Sequence, residues 1–431
     1  LHAMTKPLRL GIAGLGTVGA GVVKIVQTHA DLLASRTGRP VTISAVSARS
    51  KSRDRGVDLS AYAWEDDPVA LAVRDDVDVF VELMGGEDGP AKAATEAAIS
   101  AGKDVVTANK AMLAIHGQEL AEAAEAQGAC LRFEAAVAGG IPAIKALTES
   151  LAGNEITRVM GVMNGTCNYI LTRMQDAGLD YQTVFGEAEA LGYLEADPTL
   201  DVGGIDAGHK LALLAAIAYG TQVNFAAMAI EGIERISIED IEHAADMGYR
   251  IKLLGVAQMT GRGLETRMSP CLVPASSPLG QLENATNMIV LEGDSVGQIV
   301  LRGAGAGEGP TASAVLSDVL DLARGTRVST FGRPAGELVA ARSAVSTAPA
   351  PFYIRFALVD KPGALAKIAT VLGDAGISID RMRQYGHEDT TAPVLIVTHK
   401  TTRTALDEAL AAMDGTGVLA GAPVAIRIEE V

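Results

Sequence analysis

Residues 8–19, Leu8-Arg-Leu-Gly-Ile-Ala-Gly14-Leu-Gly16-Thr-Val-Gly19, carry the clearest structural pattern in the N-terminal part of this chain. Their apolar run predicts a buried strand, and the helical periodicity of 18–33 predicts a helix directly after the glycines. Glycines spaced as GxGxxG between a strand and a helix allow a tight turn and a close approach of the backbone to a pyrophosphate. The helix N-terminus adds unpaired N–H groups. The stretch therefore predicts a dinucleotide-binding turn, and the alternative is a glycine-rich turn that binds nothing.

The second predicted strand, residues 41–48, ends in positive charge. Arg49 follows it, with Lys51 and Arg53 close behind. Enzymes that use NAD usually place an acidic residue here to bind the ribose 2′-hydroxyl, whereas a guanidinium suits the 2′-phosphate of NADP. The sequence therefore favours NADP, with NAD and a merely solvated basic loop as alternatives.

Strands and helices alternate through the first third of the chain, and this pattern predicts a parallel sheet covered on both faces. The further predicted strands are 77–83, 104–107 and 130–135, and helices are predicted at 90–101 and 117–127. From about residue 138 the pattern changes to long helices (140–152, 180–191, 203–219 and 239–247) with scattered strands. The prediction is an α/β chain that starts with a Rossmann-like, doubly wound parallel sheet and continues into a domain of α+β character.

The C-terminal part begins after Ser343-Ala-Val-Ser-Thr-Ala-Pro-Ala-Pro351, a segment of small residues and proline. This composition predicts a linker over 343–351 that few contacts cross. Residues 352–431 then follow the order strand, helix, strand, strand, helix, strand, which is typical of a ferredoxin-like module. We expect domains at 4–137 plus 305–342, at 138–304 and at 352–431.

Composition narrows the class of function. The 431 residues carry a formal charge of −16, from 52 acidic and 36 basic residues, which disfavours nucleic acid and anionic membranes as partners. Cys130, Cys167 and Cys271 are widely spaced and contain no CxxC pair, so we expect reduced thiols in a cytoplasmic protein. No apolar run reaches a transmembrane length, and no signal-peptide pattern is found.

A lysine and an aspartate lie one helical turn apart in Asp201-Val-Gly-Gly-Ile-Asp206-Ala-Gly-His-Lys210. The residues after Gly203 are nearly all small or apolar, which predicts a buried helix. Asp206 and Lys210 share one face of it, and buried charges are costly unless they are paired or used. The pair predicts an acid/base lysine with a carboxylate beside it, and a plain helical ion pair is the alternative.

Seven motifs give the chain a resemblance to homoserine dehydrogenases of the single-function type with a C-terminal ACT domain. They are GLGTVG (14–19), TANKA (107–111), EAAVAGGIP (134–142), MNGTCNYIL (163–171), GYLEADP (192–198), DVGGIDAGHK (201–210) and GAGEGPTASAV (305–315). They occur in the family's order, and the likeness covers essentially the whole chain. It implies that residues 138–304 form a substrate-binding and dimerisation domain.

The resemblance implies an activity and a set of residues. Enzymes of this family interconvert L-aspartate 4-semialdehyde and L-homoserine. Lys210 resembles the family's catalytic lysine, and Glu195 and Asp206 resemble the pair that holds the substrate's ammonium. Asp201 resembles a supporting acid, and Lys110 a lysine near both nicotinamide and substrate. The chemistry agrees, because a lysine ammonium can give the proton that aldehyde reduction needs.

The resemblance also implies cofactor and cation sites. Besides the glycines of the first motif, the residues that resemble family cofactor contacts are Thr17, Val18, Gly192 and Gly307. A monovalent cation, usually sodium in this family, would bind Glu134 and the carbonyls of Val137, Gly139 and Ile141, a set of hard oxygen ligands. Without the resemblance, Glu134 is an ordinary glutamate at a strand end.

The tail resembles an ACT domain through Asp360-Lys-Pro-Gly363-Ala364-Leu365. Such modules commonly bind small amino acids at a subunit interface, near the turn between the first strand and helix. The resemblance implies L-threonine as the effector at Asp360, Gly363 and Ala364, in a homodimer or a homotetramer. The alternative is an oligomerisation module without a ligand.

Two other functions remain possible on the sequence. Aspartate-semialdehyde dehydrogenase needs a thiol nucleophile, and Cys167 is the cysteine that lies within a site motif. A non-catalytic sensor of NADP and amino acids would have no need of a proton donor, so the set of Glu195, Asp206 and Lys210 argues against it.

Overall fold

The computed structural model describes residues 6–194, 197–385 and 390–431. The N-terminal elements are β1 (Leu8–Ala13), α1 (Thr17–Thr28), α2 (Ala30–Thr37), β2 (Val41–Ser47), β3 (Ala63–Trp64), α3 (Pro68–Ala72), β4 (Val79–Glu82), α4 (Pro90–Ser100), β5 (Asp104–Thr107), α5 (Lys110–Ala126) and β6 (Leu131–Arg132). The middle elements are α6 (Ala143–Lys145), β7 (Ile156–Val162), α7 (Gly165–Ala177), α8 (Tyr181–Ala190), α9 (Pro198–Val202), α10 (Ile205–Tyr219), β8 (Ala229–Ile230), α11 (Ile238–Asp246), β9 (Tyr249–Thr260), β10 (Gly263–Pro274), β11 (Thr286–Gly293), β12 (Gly297–Ala304) and α12 (Glu308–Arg324). The C-terminal elements are β13 (Phe352–Val359), α13 (Ala364–Asp374), β14 (Ile379–Gln384), β15 (Thr391–Thr398), α14 (Arg403–Asp414) and β16 (Val424–Ile428).

The first sheet is parallel, with the strand order β3-β2-β1-β4-β5-β6. Helices α1 and α12 pack together on one face, around an apolar core that includes Leu10, Val22 and Val315. The order reverses direction beside β1, so a crevice opens at the carboxyl ends of β1 and β4, where such sheets bind ligands. The predicted Rossmann-like sheet is confirmed.

The second sheet has the order β12-β11-β7-β9-β10-β16-β13-β15-β14, with β8 paired to β10. Helix α10 packs against β7, β9 and β10, and its residues from Asp206 to Ile217 are all buried. Within this sheet β16, β13, β15 and β14 form the four-stranded order of a ferredoxin-like module, as predicted. None of the helices in the described ranges combines the length and apolar character that crossing a membrane requires.

The C-terminal module is joined to the middle of the chain far more closely than predicted. Strand β16 pairs in parallel with β10, at Cys271 with Arg427 and at Leu272 with Ile428. The segment 343–351 is also tied down, since the Ala344 N–H donates to the carbonyl of Leu264 at 2.9 Å. The expectation of few contacts across the linker is therefore wrong. The prediction considered only the small residues of the segment. It did not consider the open edge of β10, which offers backbone donors and acceptors to another strand.

Three predicted elements differ in detail. Residues 18–33 form two helices that meet at His29, whose ψ of 22° interrupts the helix. The strand predicted at 130–135 is only Leu131–Arg132, followed by a 3-10 helix at Glu134–Ala136. The helix predicted at 140–152 is α6 followed by a π-helix at Ala146–Ser150. Both local changes surround the buried Glu134, whose carboxylate accepts two backbone N–H groups of α6 and so begins that helix at a fixed place.

Candidate active site

Each glycine of the first turn is required for a different structural reason. Gly14 has a φ of +98°, and a Cβ there would lie 2.4 Å from the carbonyl oxygen of Leu83. A Cβ on Gly19 would lie 1.9 Å from the carbonyl oxygen of Gly14. Gly16 has open space around it, because a Cβ there would meet nothing within 4 Å. Side chains at 14 and 19 would thus disrupt the turn, whereas Gly16 leaves room for a ligand to approach the backbone.

The N-terminus of α1 faces a cleft of about 430 Å³. Gly16 caps this helix without a side-chain hydrogen bond, and the first turn, which begins with Thr17 and Val18, contains no acidic residue. The first N–H groups of the helix and its positive dipole end therefore remain available to an anion. This is the geometry that a pyrophosphate needs.

The mouth of the cleft is basic. Arg49, Arg53 and Arg55 line it, and Arg49 and Arg53 are exposed. Arg55 holds the loop in place by donating to the carbonyls of Leu15 at 3.0 Å and Ser50 at 2.5 Å. The strand before this loop ends in Ser47, so the position that would favour the ribose hydroxyl of NAD carries no carboxylate.

A buried carboxylate and an amide position the far wall of the cleft. Glu82 accepts the N–H groups of Met84 and Gly85 at 2.7 and 3.1 Å, and its other oxygen accepts the Thr107 hydroxyl at 2.7 Å. The Asn109 side chain donates to the carbonyl of Gly86 at 2.6 Å and caps α5. The loops that follow β4 and β5 are thereby held together, and α5 begins at Lys110.

Three of the predicted catalytic and substrate residues meet in one cluster. Lys210 donates from Nζ to Asp206 Oδ2 at 2.7 Å and to the carbonyl of Met163 at 2.8 Å. Lys110 of the first domain reaches the other oxygen, Oδ1, of the same carboxylate at 3.0 Å. Burial alone would raise the pKa of Asp206, but the two lysines outweigh it and hold that pKa well below its ordinary value. The cluster thus keeps an ionised carboxylate between two ammonium groups.

Asn164 connects this cluster to Asp201, and the sequence analysis gave it no role. Its Nδ2 donates to Asp201 Oδ1 at 2.9 Å and to Asp206 Oδ2 at 3.2 Å. Its oxygen accepts the Cys167 N–H at 2.8 Å as the N-cap of α7, which fixes the orientation of the amide. An asparagine directly before a helix in a site motif was the signal that could have indicated it.

The remaining predicted contacts are less closely grouped. Glu195 lies outside the described residues. Gly192 occupies a turn after α8 with a φ of +73°, and Gly307 caps α12 with a φ of +117°. Neither belongs to the described residues that line the 430 Å³ cleft, so their cofactor roles stay predictions.

Glu134 is buried at the point where the first domain passes into the second. Its oxygens accept the N–H groups of Ile144 and Lys145 at 3.1 and 2.8 Å. Burial, followed by the nearby Asp318 carboxylate, raises the pKa of Glu134 to about 7. A bound cation would offset this repulsion between carboxylates, so the charge environment fits one.

The carbonyls of the predicted cation site lie on a tight loop after Glu134. Ala138 and Gly139 have φ values of 57° and 53°, and the carbonyl of Ile141 accepts the Ala143 N–H at 2.8 Å. A carbonyl oxygen keeps a second lone pair after one hydrogen bond, so these oxygens and that of Val137 can still serve a hard cation. No group of three or more His, Cys, Asp or Glu suited to a metal ion occurs in the described ranges.

Cys167 is unsuited to nucleophilic chemistry. It is fully buried in the wall of the site, and its Sγ donates to the carbonyl of Asp201 at 3.3 Å. Burial, and after it the Asp201 carboxylate, raises the pKa of the thiol well above its ordinary value. A thiolate is the reactive form of cysteine, so the geometry does not favour a semialdehyde dehydrogenase that forms a thioester.

The predicted effector residues lie together in the turn between β13 and α13. The Asp360 N–H donates to the carbonyl of Thr390 at 3.0 Å. Gly363 caps α13 with a φ of +85° and no side-chain hydrogen bond, and Ala364 begins the helix. The Ala364 N–H donates to the carbonyl of Lys361 at 3.1 Å, which closes the turn. Whether the turn binds an amino acid stays a prediction.

Family models match three parts of the chain. Residues 14–134 match the model for the NAD-binding domain of homoserine dehydrogenase. Residues 142–320 match the model for homoserine dehydrogenase, and residues 352–415 match the ACT domain. The three matches follow the order of the two sheets and the C-terminal module described above.

Known proteins resemble the chain over its full length. It is 43% identical to a homoserine dehydrogenase of Neisseria gonorrhoeae, over 98% of this chain and 99% of that protein. Identity to a homoserine dehydrogenase of Pseudomonas aeruginosa is 39%, over 99% of both. The crystal structure of a homoserine dehydrogenase from Thiobacillus denitrificans superposes with a TM-score of 0.94 at 37% identity, over 99% of this chain and 100% of that one. Together with the cleft and the buried lysine–carboxylate cluster, these likenesses show that the chain belongs to the homoserine dehydrogenase family.

Proposed function

We propose that the chain interconverts L-aspartate 4-semialdehyde and L-homoserine with NADP as the preferred cofactor and with Lys210 as general acid and base. The observation that carries this proposal is the position of the Lys210 ammonium. It is buried, and it is held by Asp206 at 2.7 Å and by the carbonyl of Met163 at 2.8 Å. These bonds use two of its three N–H donors, so the third can serve a substrate oxygen.

The nicotinamide supplies or accepts the hydride when it is bound. In the reducing direction Lys210 gives a proton to the aldehyde oxygen, and in the oxidising direction it takes the proton from the hydroxyl. Asp206 stabilises the charged lysine. Lys110 contacts the same carboxylate from the first domain, and we assign it to the side of the substrate that faces the nicotinamide.

The substrate is an amino acid, so its ammonium needs a carboxylate. We assign Glu195 and Asp206 to that task, with Asp201 as support through the bridging amide of Asn164. A carboxylate offers about four acceptor positions, so Asp206 can keep both lysines and still receive a substrate N–H.

For the cofactor, the N-terminus of α1 with Gly14, Gly16 and Gly19 is the place for the pyrophosphate. Thr17, Val18, Gly192 and Gly307 are assigned as further contacts. Arg49 at the mouth of the cleft would bind the 2′-phosphate, because a guanidinium can donate two parallel hydrogen bonds to phosphate oxygens. NAD is the alternative cofactor, and it would leave Arg49 solvated.

A monovalent cation, sodium by preference, would be held by Glu134 and the carbonyls of Val137, Gly139 and Ile141. Support comes from the buried carboxylate with its raised pKa and from the tight carbonyl loop. Gly139 approaches Gly305 closely, since a Cβ on Gly139 would lie only 2.5 Å from the backbone of Gly305. A cation held by this loop would therefore stabilise the junction of the first two domains.

We assign the C-terminal module to feedback by L-threonine, bound at the turn of Asp360, Gly363 and Ala364 in a cytoplasmic homodimer or homotetramer. The match to an ACT domain and the uncapped N-terminus of α13 support this. A module that only mediates assembly is the alternative.

The test is the oxidation of NADPH with L-aspartate 4-semialdehyde, measured for the parent chain and for Lys210→Met. Methionine keeps most of the apolar stem and removes the ammonium. We expect kcat to fall by roughly 10²–10⁴-fold while NADPH binding persists. Lys24→Met on the exposed face of α1 is the matched control. Turnover of Lys210→Met within a few-fold of the parent would exclude Lys210 as the proton donor.

A further inference from the structure

A cavity lies within the second sheet, where the strands of the middle of the chain meet those of the C-terminal module. On one edge of β10, β8 pairs at Arg267 and Met268, whereas β16 pairs at Cys271 and Leu272. Ser269 lies between the two pairings. A cavity of about 340 Å³ opens there, bounded by β10, by α14 and by Thr347 of the connecting segment. We call it the seam cavity.

Three arginines line the seam cavity. Arg267 and Arg427 are almost fully buried, with 4% and 9% of their side chains exposed, and both donate to one oxygen of Glu429, at 2.5 and 2.9 Å. Arg403 comes from α14 and pairs through Nε with Asp407 at 2.8 Å. Arg267 also donates through Nε to Glu265 Oε1 at 3.0 Å, and Arg427 donates through Nη1 to the carbonyl of Ala348 at 2.8 Å. A ligand here would therefore bind to the donors that these bonds leave unused, not to an excess of positive charge.

Among the described residues, several donors at the seam cavity have no oxygen acceptor. Within that part of the chain, Nη1 of Arg267 meets only the sulfur of Cys271, at 3.5 Å, and the Ser269 hydroxyl meets only the same sulfur, at 3.7 Å. The Thr347 hydroxyl oxygen is buried and has no hydrogen-bond partner in the described part of the chain. Sulfur is a weak acceptor, and a buried donor without a partner destabilises the folded chain. The cavity therefore offers convergent donors for oxygen atoms that the chain itself does not supply.

We propose that the seam cavity binds a small carboxylate-bearing molecule, with the donors of Ser269, Thr347 and Arg403 directed to the carboxylate oxygens. A carboxylate presents two oxygens in one plane, which matches the fork of a guanidinium. The volume suits a ligand of a few carbon atoms, since small-molecule pockets begin at roughly 300 Å³. This site is distinct from the cofactor cleft and from the Asp360–Ala364 turn.

Two kinds of molecule carry this chemistry. A plain organic acid would use the donors alone. A free amino acid would also place its ammonium against Glu231 or Asp407, which line the same cavity. Either ligand would contact both β10 and α14. Its binding should therefore stabilise the docked C-terminal module by mass action.

The experiment is isothermal titration of the full chain with propionate, L-alanine and inorganic phosphate, with thermal unfolding as a second readout. We expect saturable binding of L-alanine or propionate and a rise in Tm. Arg403→Gln and Thr347→Val should each weaken that binding at least tenfold. Lys400→Gln removes the same charge from an exposed side chain just before α14 and should leave binding unchanged. Asp360→Asn, in the turn after β13, should also leave it unchanged.

Each outcome decides the proposal. Binding of L-alanine alone would support it and assign the ammonium to Glu231 or Asp407, and binding of both organic probes would support recognition of the carboxylate alone. Failure of both organic probes to saturate, with or without phosphate binding, would overturn it. So would parental affinity in both Arg403→Gln and Thr347→Val. If Thr347→Val does not fold, as judged by circular dichroism, Ser269→Ala replaces it under the same criterion.

Discussion

Replacement of Asn164 by serine should impair the use of L-homoserine without impairing the cofactor. Serine can cap α7 with its hydroxyl oxygen in place of the amide oxygen, because serine and asparagine are about equally good N-caps. It removes the amide donors that reach Asp201 and Asp206 at 2.9 and 3.2 Å. The substitution therefore separates the capping role of the residue from its contact with the two carboxylates.

The magnitude follows from the bonds that are lost. A hydrogen bond to a charged group is worth about 1.5–3 kcal/mol. Asp206 retains both lysines, so the loss at its oxygen is partly compensated. We therefore expect the equivalent of one such bond, and since 1.4 kcal/mol corresponds to a factor of ten, kcat/KM for L-homoserine should fall about 10–100-fold.

Steady-state kinetics in the oxidising direction test this, with KM measured separately for L-homoserine and for NADP. Asn168→Ser is the matched control. Asn168 lies one turn further along α7 and is equally buried, but its amide donates to the backbone carbonyls of Leu282 and Asn284. The control should lose stability and keep kcat/KM. Equal kcat/KM losses in the two variants, or a parental value in Asn164→Ser, would refute the reasoning.

Three further outcomes are expected. Arg49→Ala should lower the ratio of kcat/KM for NADPH to that for NADH, because it removes a partner of the 2′-phosphate; an unchanged ratio would leave Arg49 a solvated charge. Burial lowers the pKa of Lys252 from 10.5 to about 8, so only the unfolded chain holds this proton between those pH values, and the free energy of unfolding should rise there. At 1.4 kcal/mol per pKa unit, Lys252 contributes up to roughly 3 kcal/mol to this increase in the free energy of unfolding. Urea titrations at pH 8 and 10.5 should show that Lys252→Met lacks this contribution. A chain ending at residue 348 should unfold at a clearly lower urea concentration. Arg267 and Asp240 would lose buried partners, and breaking a buried pair costs about 3–5 kcal/mol. An unchanged midpoint of urea unfolding would contradict this.

Local patterns were enough to predict the first sheet and the buried helix α10. The glycine spacing at 14–19 and the four-residue spacing of Asp206 and Lys210 are properties of short segments, so helix and turn geometry alone determine what they can do. The observed distance of 2.7 Å between Lys210 and Asp206 confirms that the two side chains lie on one face.

Contacts between distant segments were not predictable in this way. Lys110 meets Asp206 only because α5 packs on α10, and no periodicity relates the two helices. Asp240 is fully buried and accepts from Tyr353 at 3.1 Å and from Arg355 at 2.6 Å, so α11 is tied to the C-terminal module. The sequence marks Asp240 only as a charge in the first turn of a helix, and the burial that makes its partners necessary depends on the assembled fold.

The parallel pairing of β10 with β16 has a consequence for the order of events during synthesis. Arg267 and its partner Glu429 are 162 residues apart, and Glu429 directly follows β16. On the ribosome, the edge of β10 at Cys271 and Leu272 must therefore wait uncovered until residues 424–428 have been synthesised. An open edge is a template for wrong strand pairing, and long-range pairings form slowly. Completion of the second sheet thus requires synthesis to continue through β16, and nascent chains that stall before residue 424 should be the species that chaperones must hold.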